Sequence, residues 1–407
     1  MKRLIQVVIL LLAITFLPVL VMFSFATGAG HASALKPKPT PPPSPTPYPY
    51  PTPPPCPTPS SGGTWALTGS LLVARYGIFT ATLLQNGQVL VAGGYQVGTG
   101  AVLAEAEVYT SSTGKWTTTG SLNDTREDQT ATLLQSGQVL VAGGNDGNGP
   151  GGYTASAELY TPSTGTWTST GSMNLTRDLA TATLLQSGKV LVAGGENYTN
   201  GPLTEAELYD PSTGKWTTTG SLNVTRIGPT ATLLSNGQVL VVGGNSGTST
   251  SAELYDPSTG KWTLTGSLNV ARGAQTATLL SNGQVLVAGG ADYNWNALAS
   301  AELYTPSTGK WTLTGSLNIA RYYHTATLLQ SGQVLVAGGD GTTCSGTSTS
   351  AELYTPSTGT WTTTGSLNVG RYQHTATLLQ NGQLLVAGGG NSSDPSGYTA
   401  SAEVFTL

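Results

Sequence analysis

Trp262-Thr-Leu-Thr-Gly-Ser-Leu-Asn-Val-Ala-Arg272, then Thr276-Ala-Thr-Leu-Leu-Ser-Asn-Gly283, Gln284-Val-Leu-Val-Ala-Gly-Gly290 and Ser300-Ala-Glu-Leu-Tyr304 make one unit, and the chain repeats it seven times. The copies are marked by Trp65, Trp116, Trp167, Trp216, Trp262, Trp311 and Trp361, spaced 46 to 51 residues apart. A chain of 407 residues exceeds what one hydrophobic core usually supports, a limit that modular repetition removes. Within a unit, apolar and Thr-rich runs are separated by Asn-Gly or Ser-Gly turns and by Pro-Ser-Thr-Gly, the punctuation of short hairpins. No stretch after Ser60 carries a sustained helical period, so the reading is all-β.

Four short antiparallel strands per unit at this period predict propeller blades. The paired glycines, the Glu-Leu-Tyr-Asp/Thr-Pro segment and the Tyr-x6-Trp spacing of Tyr255 to Trp262 closely resemble the kelch repeat, and the likeness runs from Trp65 to Leu407. That resemblance implies a ring of blades around a central channel. Glycine pairs from Gly93-Gly94 to Gly388-Gly389 count seven blades. The chain ends after Ala402-Glu-Val-Phe405, a third strand, while Trp65-Ala-Leu-Thr68 is an orphan fourth strand. Pairing the two predicts a closed ring over residues 63–407 with no free sheet edge.

The N-terminus sets the compartment. Lys2 and Arg3 precede an uncharged apolar run from Leu4 to Phe25, and Ala32-Ser33-Ala34 follows. Residues 1–34 are therefore expected to be a signal peptide or a membrane anchor, and either places the rest of the chain outside the cytoplasm, secreted or tethered through Leu4 to Phe25. Residues 35–62 form a Pro-rich linker. Fourteen of the 23 residues from Pro37 to Pro59 are proline, which favours an extended spacer of roughly 70 Å. Cys56 and Cys344 are too few for a disulfide framework and lack metal spacing, leaving one disulfide or two free thiols.

From Ser60 onward the chain carries twenty acids against seven Arg and five Lys, a formal balance of −8, which argues against a nucleic acid partner. One Arg and one Glu recur per unit, from Arg75 to Arg371 and from Glu107 to Glu403. Equal stoichiometry predicts buried structural pairs. The recurrent Trp and Tyr read as packing between blades.

Histidine is scarce. His324 and His374 occupy one repeat position in blades six and seven. The segment Arg321-Tyr-Tyr-His-Thr resembles the stretch of the galactose oxidase family that supplies a Tyr-His pair to copper, and the match implies Tyr323 and His324 as metal ligands. The cysteine-linked tyrosine and the C-terminal histidine of that family have no counterpart here, so no cofactor is expected and copper is disfavoured. No Gly-x-Ser-x-Gly elbow, P-loop or metal-spaced cluster is present, so no catalytic centre is expected.

The turns are copied almost unchanged from blade to blade, whereas the segments after each glycine pair and the connections between blades vary. Antiparallel geometry places both varied sets on one face. Blades six, seven and one are neighbours in a closed ring, so Tyr76, Phe79, Tyr322, Tyr323, His324, Tyr372 and His374 are expected to form an aromatic sector, with Trp295 in a nearby loop and acidic blades two and three beyond. The expected function is a surface-displayed or secreted binding or scaffold module for a protein or polysaccharide; the rival is a copper-dependent oxidase related to galactose oxidase.

Overall fold

The computed structural model describes residues 62–407 except 78, 97, 150, 342–346 and 393. The apolar run at 4–25, the proline-rich stretch up to position 59 and both cysteines lie outside the described residues. Seven four-stranded antiparallel sheets follow one another. Blade 4 is representative: Thr230–Leu233, Val239–Val242, Ala252–Asp256 and Lys261–Leu264 pair in chain order. The closing blade is composite. Thr64–Thr68 pairs antiparallel with Ala402–Thr406, with Trp65 opposite Phe405 and Leu67 opposite Glu403, as the orphan-strand reading predicts. The first strands of successive blades adjoin around the axis, and those of blades 7 and 1 meet in the same way.

The core lies between blades. One cluster joins Leu185, Leu191 and Ala193 of blade 3 to Val239, Tyr255 and Trp262 of blade 4, and six others repeat the pattern around the ring. Second strands are Val/Leu-rich and buried throughout, as sheets covered on both faces require. Polar groups are matched across the seams as well. The Tyr255 hydroxyl lies 2.8 Å from Thr219 Oγ1, and Trp262 Nε1 donates to Gly220 O at 2.8 Å.

Each Arg–Glu pair lies within a blade and anchors the incoming connection. Arg226 Nη1 donates to Gly243 O and Ser251 O, and its Nη2 meets Glu253 Oε1 at 3.1 Å. The second oxygen of Glu253 accepts from Asn223 N at 2.7 Å. All seven pairs form, which satisfies the stoichiometric expectation.

Varied connections and loops share one face. Antiparallel bridges join Tyr76 to Tyr95, Asp178 to Glu196, Gly273 to Ala291 and Tyr372 to Gly390, each linking a connection to the loop of its own blade. Two of those loops are ordered as two-stranded ribbons, Tyr95–Gln96 with Ala101–Val102 and Glu196–Asn197 with Gly201–Pro202. Ribbons two residues deep are too short to leave a period-2 pattern in the sequence.

Candidate functional site at the channel mouth

Where each connection turns into its inner strand, the residue two or so after the buried Arg adopts a left-handed backbone. Blades 1 and 4 use Gly77 and Gly228 (φ 79° and 58°), but Asp128, Leu179, Ala274, Tyr323 and Gln373 hold φ between 49° and 56°. An L-residue there costs about 1 kcal/mol or more. These apices are laced along the rim: Gly228 N donates to Leu179 O, Tyr323 N to Ala274 O, and Gln373 N to Tyr323 O at 2.9, 3.1 and 3.0 Å. They surround a cavity of about 380 Å³ whose wall includes Asp128, Leu179, Ile227, Trp295, Tyr323 and Gln373.

In five of the seven connections the residue just before the inner strand wedges against the preceding blade. Gln129 Nε2 donates to Ala92 O at 2.9 Å and Gln275 Nε2 to Val242 O at 3.1 Å. His324 Nε2 lies 3.1 Å from Thr276 Oγ1, and His374 Nε2 lies 3.0 Å from Thr325 Oγ1. The wedges press on the first glycine of the neighbour's pair. A Cβ on Gly289 would approach His324 Cε1 to 2.7 Å, and one on Gly388 would approach Phe79 Cζ equally closely, so the pair must stay glycine. Burial together with Arg321 and Arg272 holds His324 down to about 3, and burial with Arg371 and His324 keeps His374 well below the ordinary imidazole value. Both rings are therefore neutral near pH 7.

The predicted aromatic residues fall into two contact groups. Trp295 meets Tyr322 and Tyr323 with ring centroids 5.7 and 5.9 Å apart, and the two tyrosines are 5.3 Å apart. Tyr76 and Tyr372 form a separate edge-on pair at 5.7 Å. Phe79 is buried in the core cluster between blades 7 and 1. The Tyr322 hydroxyl donates to Asp340 Oδ2 at 3.2 Å. Burial and Asp128 raise the Tyr323 phenol to about 12, so it stays a neutral donor.

Asp128 lines the same cavity and belongs to an acidic group on blades 2 and 3. Burial, then Asp128 and Glu196, raise Asp178 to about 9; burial and Asp128 raise Glu127 to about 7. Asp178 Oδ1 is buried without a partner among the described residues. Blades two and three read as acidic in the sequence. That Gln129, Gln275 and Gln373 line the same cavity was missed, although the first two share the repeat column of His324 and His374.

Residues 131–174, 182–223 and 228–269 match the kelch motif. Three successive units of the ring thus carry the kelch motif. No curated protein matches the chain. Among solved structures, the propeller is similar to a fungal alcohol oxidase of the AA5 family in complex with copper, with a TM-score of 0.67 and 20% identity over 84% of this chain and 76% of that one. Likeness at that identity is one of fold. The donors of this propeller do not fit the oxidase's metal. Both histidines direct Nε2 at threonines one blade back, their Nδ1 atoms are sealed in the wall, and no group of three His, Cys, Asp or Glu among the described residues is placed to hold an ion.

Proposed function

We propose that this protein is a binding module, secreted or tethered outside the cytoplasm, that engages a protein or polysaccharide through the mouth of its central channel without turning it over. One observation carries the reading: six non-glycine residues, five at the apices of the connections and the sixth Trp295, are held in left-handed backbone around a single cavity, and no two of the six are alike. The remainder of the repeat is copied and accounts for the ring. Strain retained where side chains differ is the signature of a ligand site rather than of a scaffold. Arrays of peptides and glycans probed with the full-length protein test this. Selective retention that disappears in Tyr323→Ala, with an unchanged melting curve, supports the reading; retention indifferent to that variant places binding elsewhere.

The fold likeness to a copper alcohol oxidase favours a second reading, an oxidase related to galactose oxidase. It requires stoichiometric copper and oxidation of a primary alcohol, so a copper determination and an alcohol oxidation assay on the same sample decide between the two.

A further inference from the structure

We infer that Asn148, in the varied loop of blade 2, is a site of spontaneous covalent modification: the backbone nitrogen of Gly149 attacks the Asn148 side-chain amide, and the residue converts to aspartate and isoaspartate. The inference stands apart from the binding-module reading and uses none of the residues that line the mouth cavity.

The reaction needs two groups free at once. The Gly149 nitrogen forms a bond to Asn148 Cγ while the bond from Cγ to Nδ2 breaks, and Nδ2 leaves as ammonia with the proton that the glycine nitrogen gave up. One water then opens the cyclic imide and leaves a new carboxylate. Opening at Cγ gives aspartate; opening at the main-chain carbonyl routes the backbone through Cγ and gives isoaspartate. Nothing is oxidised or reduced. Glycine in second place favours the attack because no Cβ crowds its nitrogen. The amide and that nitrogen must still be able to meet in a near-attack geometry.

Six asparagines are followed by glycine: Asn86, Asn148, Asn200, Asn236, Asn282 and Asn381. Asn86, Asn236, Asn282 and Asn381 sit in the hairpins between first and second strands, and there both reacting groups are engaged. The nitrogens of Gly87, Gly237, Gly283 and Gly382 donate to the carbonyls of Leu84, Leu234, Leu280 and Leu379 at 2.9 to 3.0 Å. Each side-chain amide is held from two sides. Asn86 Oδ1 accepts from Gln88 N at 3.0 Å while its Nδ2 donates to Gln88 Oε1 at 2.7 Å, and the other three repeat the arrangement with their own glutamines. At the sixth pair, Gly201 is paired with Asn197 in a two-stranded ribbon and Asn200 N donates to Asn197 Oδ1 at 2.7 Å.

Asn148 differs on both counts. Among the described residues Gly149 N meets no acceptor, the Asn148 side-chain amide has no hydrogen-bond partner, and both residues are exposed. A Cβ added at Gly149 would meet nothing within 4 Å, so its nitrogen is open to approach. Backbone class does not make the difference, since Gly149 has φ 82° and the four hairpin glycines 82° to 86°. The loop around the site is held in place: Asn148 N donates to Asp146 Oδ1 at 2.8 Å, Gly152 N to Gly149 O at 3.1 Å, and Asn145 bridges both Glu127 and Tyr153. Conversion therefore sets a further negative charge two residues from Asp146. The isoaspartate also lengthens the main chain by one carbon in a loop that Asn145 ties to the blade's own connection, so the varied face of blade 2 changes with the age of the protein.

Incubation of the full-length protein at pH 8.5 and pH 6, beside a sample unfolded in urea at pH 8.5, tests this. Digestion in water enriched in oxygen-18 marks any change made during work-up, peptide mass spectrometry reads the converted fraction at each of the six asparagines, and a protein isoaspartate methyltransferase labels the isoaspartate. In the folded protein Asn148 is expected to convert at least tenfold faster than Asn86, Asn236, Asn282 or Asn381 and ahead of Asn200, more slowly at pH 6 because the attacking nitrogen must lose its proton, and with isoaspartate among the products. In urea its lead should disappear. Conversion at Asn148 no faster than at the hairpins overturns the assignment, as does a folded protein that stays intact at Asn148 while the unfolded chain converts. A lead that persists undiminished in urea overturns it too, since local sequence and not the fold would then select the site. Loss of the amide without any isoaspartate overturns the cyclic route.

Discussion

Arg226 Nη2 lies 3.1 Å from Glu253 Oε1 with both side chains wholly out of water, and the same carboxylate holds the connection from blade 3 through Asn223 N. The pair therefore ties the chain's path to the blade it enters. Burial lowers the Arg226 pKa and Glu253 offsets only part of that, so neither charge is tolerable without the other. Glu253→Gln is expected to cost about 3–5 kcal/mol by stranding the guanidinium. Urea unfolding measures it, and a loss below 1 kcal/mol would mean that water reaches Arg226. In a double-mutant cycle, Arg226→Met with Glu253→Leu should cost less than the two single losses combined.

The blade that closes the ring lacks one hydroxyl that its copies carry. Six tyrosines bond a threonine across a seam, as Tyr354 does with Thr314 at 2.8 Å, but the seventh position is Phe405 and the Thr364 hydroxyl it faces is buried without a partner among the described residues. Phe405→Tyr is expected to stabilise the protein by about 1 kcal/mol. Crowding by Gly63 opposes this, since a Cβ there would lie 2.2 Å from Phe405 Cζ. A lower melting temperature would show that the ring cannot shift enough to admit the hydroxyl.

The ring was legible because its determinants are local and repeated. Turn residues fix each hairpin, and the orphan strand at Trp65 predicts its pairing with Phe405 without reference to any loop. The buried charge pairs could be read from stoichiometry, since one Arg and one Glu per blade leave little else to do. The mouth was only half legible. Gly77 and Gly228 hint at a left-handed site, but Asp128, Leu179 and Tyr323 in the same column carry no such mark, because the backbone there is imposed by the ring and not by side-chain preference. His324 and His374 drew attention through scarcity, yet their geometry equates them with Gln129 and Gln275, side chains of different chemistry doing the same wedging.

That equivalence predicts a pH response. The folded His324 titrates at about 3, against 6.5 for an ordinary imidazole, and His374 is likewise depressed. Between these values the unfolded chain binds protons that the folded one does not, so stability is lost as pH falls below about 6.5 toward 3, by at most about 1.4 kcal/mol per pH unit for each ring. His324→Gln with His374→Gln copies the wedge of Gln275 and removes the titration. Urea midpoints at pH 7 and pH 5 should drop for the parent relative to this variant. Parallel behaviour of the two proteins would mean that the rings protonate in place.

Asp178 gives the opposite slope. Its folded pKa of about 9 lies above the ordinary value of 3.8, so between them the folded state holds a proton that the unfolded state releases, and this residue's contribution to stability declines as pH rises from about 4 to about 9. Asparagine keeps the shape and removes the charge. Asp178→Asn is therefore expected to match the parent near pH 4 and to exceed it increasingly from pH 6 to pH 9 in thermal melts. If the variant instead melts lower at pH 8, Asp178 is compensated within the folded chain, and the acidic sector is part of the ring's architecture.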